Sequence, residues 1–384
     1  MTWTPPFSEA EYRRRAAAVR AALAERELDA AVCYGARGAP GLVEYLAAFS
    51  PRWESYLILP RDPALPSTLL VQLFNHVPNA RLRSTVPDTR WGGPDSAAAV
   101  AAQLRELGLG AGRVGLAGPV PHQRHAALLR ELPTARWEDV SGPLGRLRWV
   151  KSGEEIACMR RAAELTDAAV AALARELRPG LREWELPALM QAAVAAQGGQ
   201  IDLCFLAATP MDDPSVCVPA QNLSDRAIQR GDVLITEIGV AKDGYAGQIH
   251  RPFAVGAPPT PAYGRLYDVA LEAYHAVCGA IRPGATSEDV LEAAELINAR
   301  GYSICDDLVH GFGGGYLPPV LRTRQTEAAP APPFSFAEGM CIVVQPNVIS
   351  HDARMGVQVG QLHVVTAGGL EPLHRYPLEF AVVG

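Results

Sequence analysis

The spacing of apolar positions switches along the chain between a period near 3.6 and a period of 2, and the switches mark its elements. Behind Ser8, apolar residues recur at helical spacing to about Leu28, and Glu11 completes a capping box with Ser8. Residues 29–34 read as a short buried strand, with further strands at 56–59 and 68–72. A helix near 95–107 stops at Gly108, and a strand at 112–117 and a helix at 121–131 follow. This alternation predicts a small α/β domain with a mostly parallel sheet. A boundary falls near Leu147 and divides the chain into residues 1–147 and 148–384. Beyond it, Ser152 and Glu155 form a second capping box that opens a new helix, and another helix spans about 183–196. Strands at 232–238 and 245–254 are joined by a hairpin signal, Ala241-Lys242-Asp243-Gly244. Helices at 261–280, capped by Thr260 with Pro261 first, and at 286–299 come next. Residues 329–333 read as a proline-rich loop, and strands at 340–345 and 356–366 close the sheet.

The hairpin makes a geometric statement. A Lys242-Asp243 loop sets Glu237 opposite Gln248, and an Asp243-Gly244 loop sets it opposite His250. Side chains alternate along a strand, so Gln248 and His250 share a face either way, and that face also carries Glu237. A polar face on apolar strands needs buried hydrogen-bond partners.

Composition narrows the class. At 384 residues, 48% hydrophobic and 20% charged, the chain is expected to be a soluble protein of two ordinary domains. A net charge of −6 argues against a nucleic-acid partner. No apolar run approaches the ~18 residues of a membrane helix. The start, Met1 to Pro6, has no secretory pattern. Seven scattered cysteines without a C-x-x-C pair fit reduced thiols in a cytoplasmic protein. Gly35-Ala36-Arg37-Gly38 lacks the dinucleotide spacing, so no such cofactor is expected.

Five blocks in the second half carry a resemblance: Gly231 to Gly239, Gly244 to Arg251, Val309 to Gly313, Gly339 to Pro346, and Gly356 to Gln361. In order, spacing and local residue choice they resemble the creatinase/prolidase/methionine aminopeptidase family. That implies an α/β (α+β) chain, a small N-terminal α/β domain followed by a pita-bread domain. Arg148 to Ile156 resembles the opening segment of that domain. The resemblance places, in metal-dependent members, Asp at 237 and 248, His at 310, and Glu at 345 and 360, together holding two divalent ions that activate water. Here those positions are Glu237, Gln248, His310, Gln345 and Gly360. Hard cations need several anionic oxygens and transition metals several good donors, so neither a metal pair nor any other cofactor is expected. Creatinase, a metal-free relative, implies a catalytic His where this chain has Ala220 or Gln221. Its two guanidinium-binding Glu fall at His250 and Gln345, which makes creatine a poor expectation. The second His of prolidases falls at Leu317.

The candidates that remain are His310, Glu237 and His250 for acid–base chemistry near neutral pH. Tyr245, Gln248, Gln345 and Gln221 are candidates for binding a neutral polar substrate. Arg322 and Arg324, on the loop after His310, could pair a carboxylate. Arg52 and Trp53 lie in a segment, 49–54, that the resemblance has reaching into a partner's pocket in creatinase-like dimers. His363 points to the face opposite residue 360 and is set aside. The expected function is metal-independent hydrolysis of a C–N bond in a small polar molecule by a cytoplasmic homodimer, with neither nucleic acid nor membrane as partner. The alternatives are a lyase, isomerase or cyclase on the same scaffold, or a non-catalytic binding or interaction module as in the histone-chaperone branch. A pocket with Glu237 and His310 in mutual reach favours an enzyme, and one filled by apolar side chains favours a module.

Overall fold

The structure is a computed structural model that describes residues 3–327, 329–330 and 333–384. Met1 and Thr2 of the N-terminal reading, and residues 331 and 332 of the expected proline-rich loop, lie outside the described residues. The chain divides into two units, Met1–Arg148 and Trp149–Gly384.

The first unit contains β1 (Ala30–Gly35), β2 (Ser55–Pro60), β3 (Thr68–Val71), β4 (Asp88–Trp91), β5 (Arg113–Ala117) and β6 (Arg136–Asp139) in one sheet ordered β4-β3-β2-β1-β5-β6. The sheet is mixed. β1 with β5, β5 with β6, and β3 with β4 pair in parallel, but β2 runs antiparallel to both neighbours. Residues 61–67 between β2 and β3 are too few for a crossover, so that pair returns as a hairpin. Along β2, Leu57 and Leu59 pack against Val19 and Leu23, while Tyr56 and Ile58 pack with Val100, Leu104 and Leu128. Both faces are thus covered by helices, and the strand reads as a continuous apolar run. The edge strands β4 and β6 carry Asp88, Arg90, Arg136, Glu138 and Asp139. Charge at a sheet edge discourages pairing with other chains and also erases the strand signal. Ser8 caps the helix Glu9–Glu25 by accepting from the Glu11 amide, while the Glu11 carboxylate engages Arg14 and the fully buried Arg15.

The second unit contains β7 (Gln200–Pro210), β8 (Asp232–Lys242), β9 (Tyr245–Ala246), β10 (Ile249–His250), β11 (Phe253–Val255), β12 (Ser303–Ile304), β13 (Val309–Phe312), β14 (Tyr316–Leu321), β15 (Cys341–Val344), β16 (Asn347–Ile349), β17 (Gly356–Gln358), β18 (Gly360–Thr366), β19 (Gly369–Pro372) and β20 (Ala381–Val383). The main sheet runs β14-β13-β15-β18-β10-β8-β11-β20. β7 and β9 also pair with β8, β19 pairs with β18, and β12, β16 and β17 form a small sheet of their own. Helix Gly153–Glu176, opened by the Ser152/Glu155 capping box, and helix Leu186–Val194 cover one side with Leu234, Ile238 and Ile249. Helices Pro261–Ala280 and Ser287–Ala299 cover the other with Val233, Ile235, Val309 and Val344. Alternation puts Glu237 on the side of Val233 and Ile235, where the apolar packing gives way to polar groups. Among the described residues no helix is long and apolar enough to cross a membrane.

The hairpin turn is Asp243-Gly244, with φ of 53° and 80°, the backbone of a type I′ turn. Lys242 pairs with Tyr245, Ile238 with Ile249, Glu237 with His250, and Leu234 with Phe253. The expected single strand over 245–254 breaks into three pieces, first at Gly247, which passes under the helix Gly153–Glu176, and again at Arg251-Pro252, where proline has no amide to donate. A Cβ at Gly247 would lie 2.8 Å from the Ala163 Cα.

Candidate active site

Three strands and two strand-end segments bring the polar residues together. β8 supplies Glu237, the segment joining β9 to β10 supplies Gln248, β10 supplies His250, β13 supplies His310, and Gln345 directly follows β15. Gln248 Nε2 donates to Glu237 Oε1 at 2.7 Å and to Gln345 Oε1 at 3.1 Å. His310 Nε2 lies 3.1 Å from the same Gln345 oxygen and its Nδ1 lies 3.0 Å from the Gly311 carbonyl, and the neutral ring can donate to one of them at a time. His250 Nε2 stands 3.7 Å from Glu237 Oε1. The result is one cluster running Glu237–Gln248–Gln345–His310, with His250 against its acidic end.

Both nitrogens of His310 face oxygen acceptors, an arrangement that suits the imidazolium. Burial acts the other way and pushes the ring below its ordinary pKa. The two effects oppose one another across a single proton, and the ring is 1% exposed with Tyr316 stacked on it at 4.2 Å between centroids.

A cavity of about 880 Å³ opens on this cluster. Glu237, Gln248, Gln345, Gln221 and Phe205 line it, together with Asp202, Asp306, Asp307 and Tyr316. His310 and His250 lie one layer behind the lining. Asp306 accepts from Gln358 Nε2 at 2.9 Å, and burial, then the charge of Glu237, raises its pKa. Asp307 is held by the Arg322 Nε at 2.7 Å and by the Tyr316 hydroxyl. The Oε1 of Gln248, on a side chain 2% exposed, has no hydrogen-bond partner among the described residues.

Several expected site residues sit elsewhere. The Tyr245 hydroxyl donates to Glu155 at 2.6 Å beneath the Gly153–Glu176 helix and is not part of the lining. Arg324 pairs with Glu288 and Glu295 on the helix Ser287–Ala299. Arg322 reaches the cavity only through Asp307. Arg52 and Trp53, expected at a partner's pocket, line a depression of the first unit with Tyr34, Glu54 and Gln72, and that expectation concerns a second chain rather than this one. His363, set aside from the sequence, is buried against the Tyr274 hydroxyl at 2.8 Å, and burial pushes its pKa down to about 3. The sequence reading missed Asp202, Asp306, Asp307 and Tyr316. Two adjacent carboxylates immediately before the His310 strand were the available signal.

Beneath the cluster, Arg251 is fully buried and fixes the strands. Its guanidinium donates to the carbonyls of His250 and Gly360, each at 2.8 Å, to Gln361 Oε1 at 2.7 Å, and to the Pro377 and Tyr376 carbonyls at 2.6 and 2.8 Å. All are neutral oxygens, and desolvation lowers its pKa to about 10. Gly360 lies directly across from His250. A Cβ at 360 would fall 2.6 Å from the Gln345 Cα and closer still to the Val344 carbonyl oxygen.

A sheet of this topology, flanked by paired helices and carrying its polar cluster on the central strands, defines the pita-bread class of hydrolase scaffold. The profile of metallopeptidase family M24 matches residues 157–367, and the chain belongs to that family. An Xaa-Pro dipeptidase from Pyrococcus furiosus is 24% identical over 349 residues, covering 88% of this chain and 91% of the relative. Among solved structures, dipeptidase PepE from Mycobacterium ulcerans superposes with a TM-score of 0.81 at 23% identity, covering 98% and 99% of the two chains. An X-Pro aminopeptidase from Thermotoga maritima gives 0.83 at 18% identity, covering 97% and 99%. The small N-terminal domain and the pita-bread domain are those that the resemblance implied.

The family's name implies a metal, and the residues here do not fit a metal pair. Gln248 turns a donor, Nε2, toward Glu237, where a ligand would present an oxygen. The Gln345 oxygen is already engaged by Gln248 and His310. The backbone closes on position 360, leaving no room for a side chain. Among the described residues no three His, Cys, Asp or Glu side chains group as metal ligands. Glu237 and His310, one carboxylate and one imidazole separated by two bonded amides, are too few donors for a metal pair.

Proposed function

We propose that this protein is a metal-independent hydrolase that cleaves a C–N bond in a small polar molecule, with Glu237 as the group that meets the substrate. The carrying observation is that the acidic end of the cluster lies at an open cavity of mixed polar and apolar lining, whereas His310 lies behind Gln345. A pocket filled by apolar side chains would have suited an interaction module; this one is open, and carboxylates and amides line it alongside apolar groups such as Phe205, Val218 and Phe312. Membership of a peptidase family and the dipeptidase names of the relatives support hydrolysis.

In this reading Glu237 takes a proton from a water held beside it. The water oxygen attacks the substrate carbon, the C–N bond breaks, and the same proton passes to the leaving nitrogen. Gln248 holds the carboxylate in place through its 2.7 Å bond. Gln345 joins Gln248 to His310, whose proton balance tunes the cluster. Of the three acid–base candidates read from the sequence, His310, Glu237 and His250, this reading puts the proton transfer on Glu237.

The test is hydrolysis of a panel of Xaa-Pro dipeptides, N-acyl amino acids and guanidino acids by exhaustively chelated protein, followed by amine release. Turnover is expected without added metal. Glu237→Gln should lower kcat by ~10²–10⁴ with an unchanged circular dichroism spectrum. Turnover that appears only after divalent ions are added would overturn the metal-independent reading.

A further inference from the structure

Cys217 and Cys305 are separated by a long stretch of chain and are brought together at the cavity wall. Cys305 is exposed, follows β12, and lines the cavity directly before Asp306 and Asp307. Cys217 is buried and directly precedes the opposite lining segment, 218–222. One side chain ties both backbones: Asn347 Oδ1 accepts from the Cys305 amide at 3.3 Å, and Asn347 Nδ2 donates to the Cys217 carbonyl at 3.0 Å. Asn347 opens β16, which pairs with β12 on one side and β17 on the other. Gly356 of β17 packs so tightly on Cys217 that a Cβ there would lie 2.9 Å from the Cys217 Cα. Neither cysteine lies on a strand, but Cys305 directly follows β12, and Asn347 of β16 tethers the backbones of both residues, which brings their thiols into one neighbourhood.

We propose that Cys305 and Cys217 form an attacking and resolving thiol pair, a modification site for small disulfides such as oxidised glutathione, whose closure joins the two walls of the cavity. The exposed Cys305 thiolate attacks one sulfur of the small disulfide and releases one equivalent of small thiol. The Cys217 thiolate then attacks the Cys305 sulfur, forms the Cys217–Cys305 bond and releases the second equivalent. Two protein thiols are oxidised and one small disulfide is reduced to two thiols, with the two protein protons leaving on the products or to solvent. Burial pushes the Cys217 thiol up to about 11, so the second step has little thiolate to draw on at neutral pH and accelerates as pH rises. The pairing does not depend on the hydrolytic reading, since it concerns thiols outside the Glu237–His310 cluster.

The experiment is incubation of the full-length protein with excess oxidised glutathione at pH 8, with free thiols counted in denaturant and non-reduced peptides analysed by mass spectrometry. Wild type should fall from seven thiols to five, seven less two, with a 217–305 cross-linked peptide and no retained glutathione. Cys217→Ser should stop at the first step and keep one glutathionyl group on Cys305. Cys305→Ser should keep six thiols and neither adduct nor cross-link. A wild-type protein that stops as a stable adduct on Cys305, cross-links a different pair, or does not react would overturn the assignment.

Discussion

Replacing Gly360 by Ala tests how tightly the sheet closes at the position where metal-dependent relatives place a Glu. The added Cβ would lie 2.6 Å from the Gln345 Cα and nearer to the Val344 carbonyl, whereas ordinary contact begins at 3.4 Å. β15 and β18 must part by about an ångström, which as overpacking costs about 1–3 kcal/mol. The shift also strains the adjoining Val344–Gln361 pairing, and one weakened ladder bond adds about 1 kcal/mol. The sum is about 2–4 kcal/mol. For a unit of this size each kcal/mol lowers Tm by about 2–4 °C, so thermal melts should move down by about 5–15 °C. Gly368→Ala is the control, since its nearest neighbour is the Thr366 Oγ1 at 3.8 Å, and its melt should overlay wild type. If Gly360→Ala melts with wild type, the strands have room for a side chain at 360, and the steric part of the argument against a metal pair fails. Gly360→Glu should behave like Gly360→Ala and gain no stoichiometric divalent ion by elemental analysis.

Further outcomes follow from buried groups and surfaces. His310, His363 and His374 all have pKa values below the ordinary histidine value, chiefly through burial. Below about pH 6.5 the unfolded chain takes up protons that the folded chain refuses, so stability is fully present above that pH and lost as pH falls below it, by up to about 1.4 kcal/mol per group per pH unit. Urea midpoints should drop from pH 7 to pH 5, and His363→Gln should flatten that drop. Arg251→Met strips the donors from several buried carbonyls and should cost more than about 4 kcal/mol in urea unfolding, with Arg251→Lys recovering only part because one ammonium cannot span the same oxygens. The first unit exposes Trp53, Phe74 and Trp91, and a homodimer that covers such groups should appear in light scattering at twice 41.0 kDa; a mass near 41.0 kDa at micromolar concentration would refute it.

Much of the site was legible in the sequence because a hairpin converts spacing into proximity. Once Asp243-Gly244 is the turn, Glu237, Gln248 and His250 must share a face, and the five spaced blocks located His310 and Gln345. Depth was not legible. Period and register say which face a side chain takes but not whether Tyr316 will roof His310 or Gln345 stand in front of it. Tyr245 was misplaced for the same reason. It lies on the expected hairpin, yet its hydroxyl is drawn to Glu155 on a helix distant in sequence. Asp306 and Asp307 carry no periodic signal, and they enter the cavity only because β12 and β13 bracket them. The edge strands β4 and β6 escaped notice because the charges that protect a sheet edge hide its pattern.

The Asp243-Gly244 turn gives the protein an asymmetric tolerance to changes in length. Two residues is already the tightest connection a hairpin makes, so inserted residues can swell outward from the turn while Lys242 and Tyr245 stay paired. A deletion has no slack to draw on and must be taken from the strands. Losing one residue between Glu237 and Gln248 would rotate Gln248 and His250 to the opposite face of the sheet, toward the helix Gly153–Glu176, and leave Glu237 alone at the cavity. The eleven-residue step from Glu237 to Gln248 can therefore lengthen freely but can shorten only by residues lost in pairs, one from each strand.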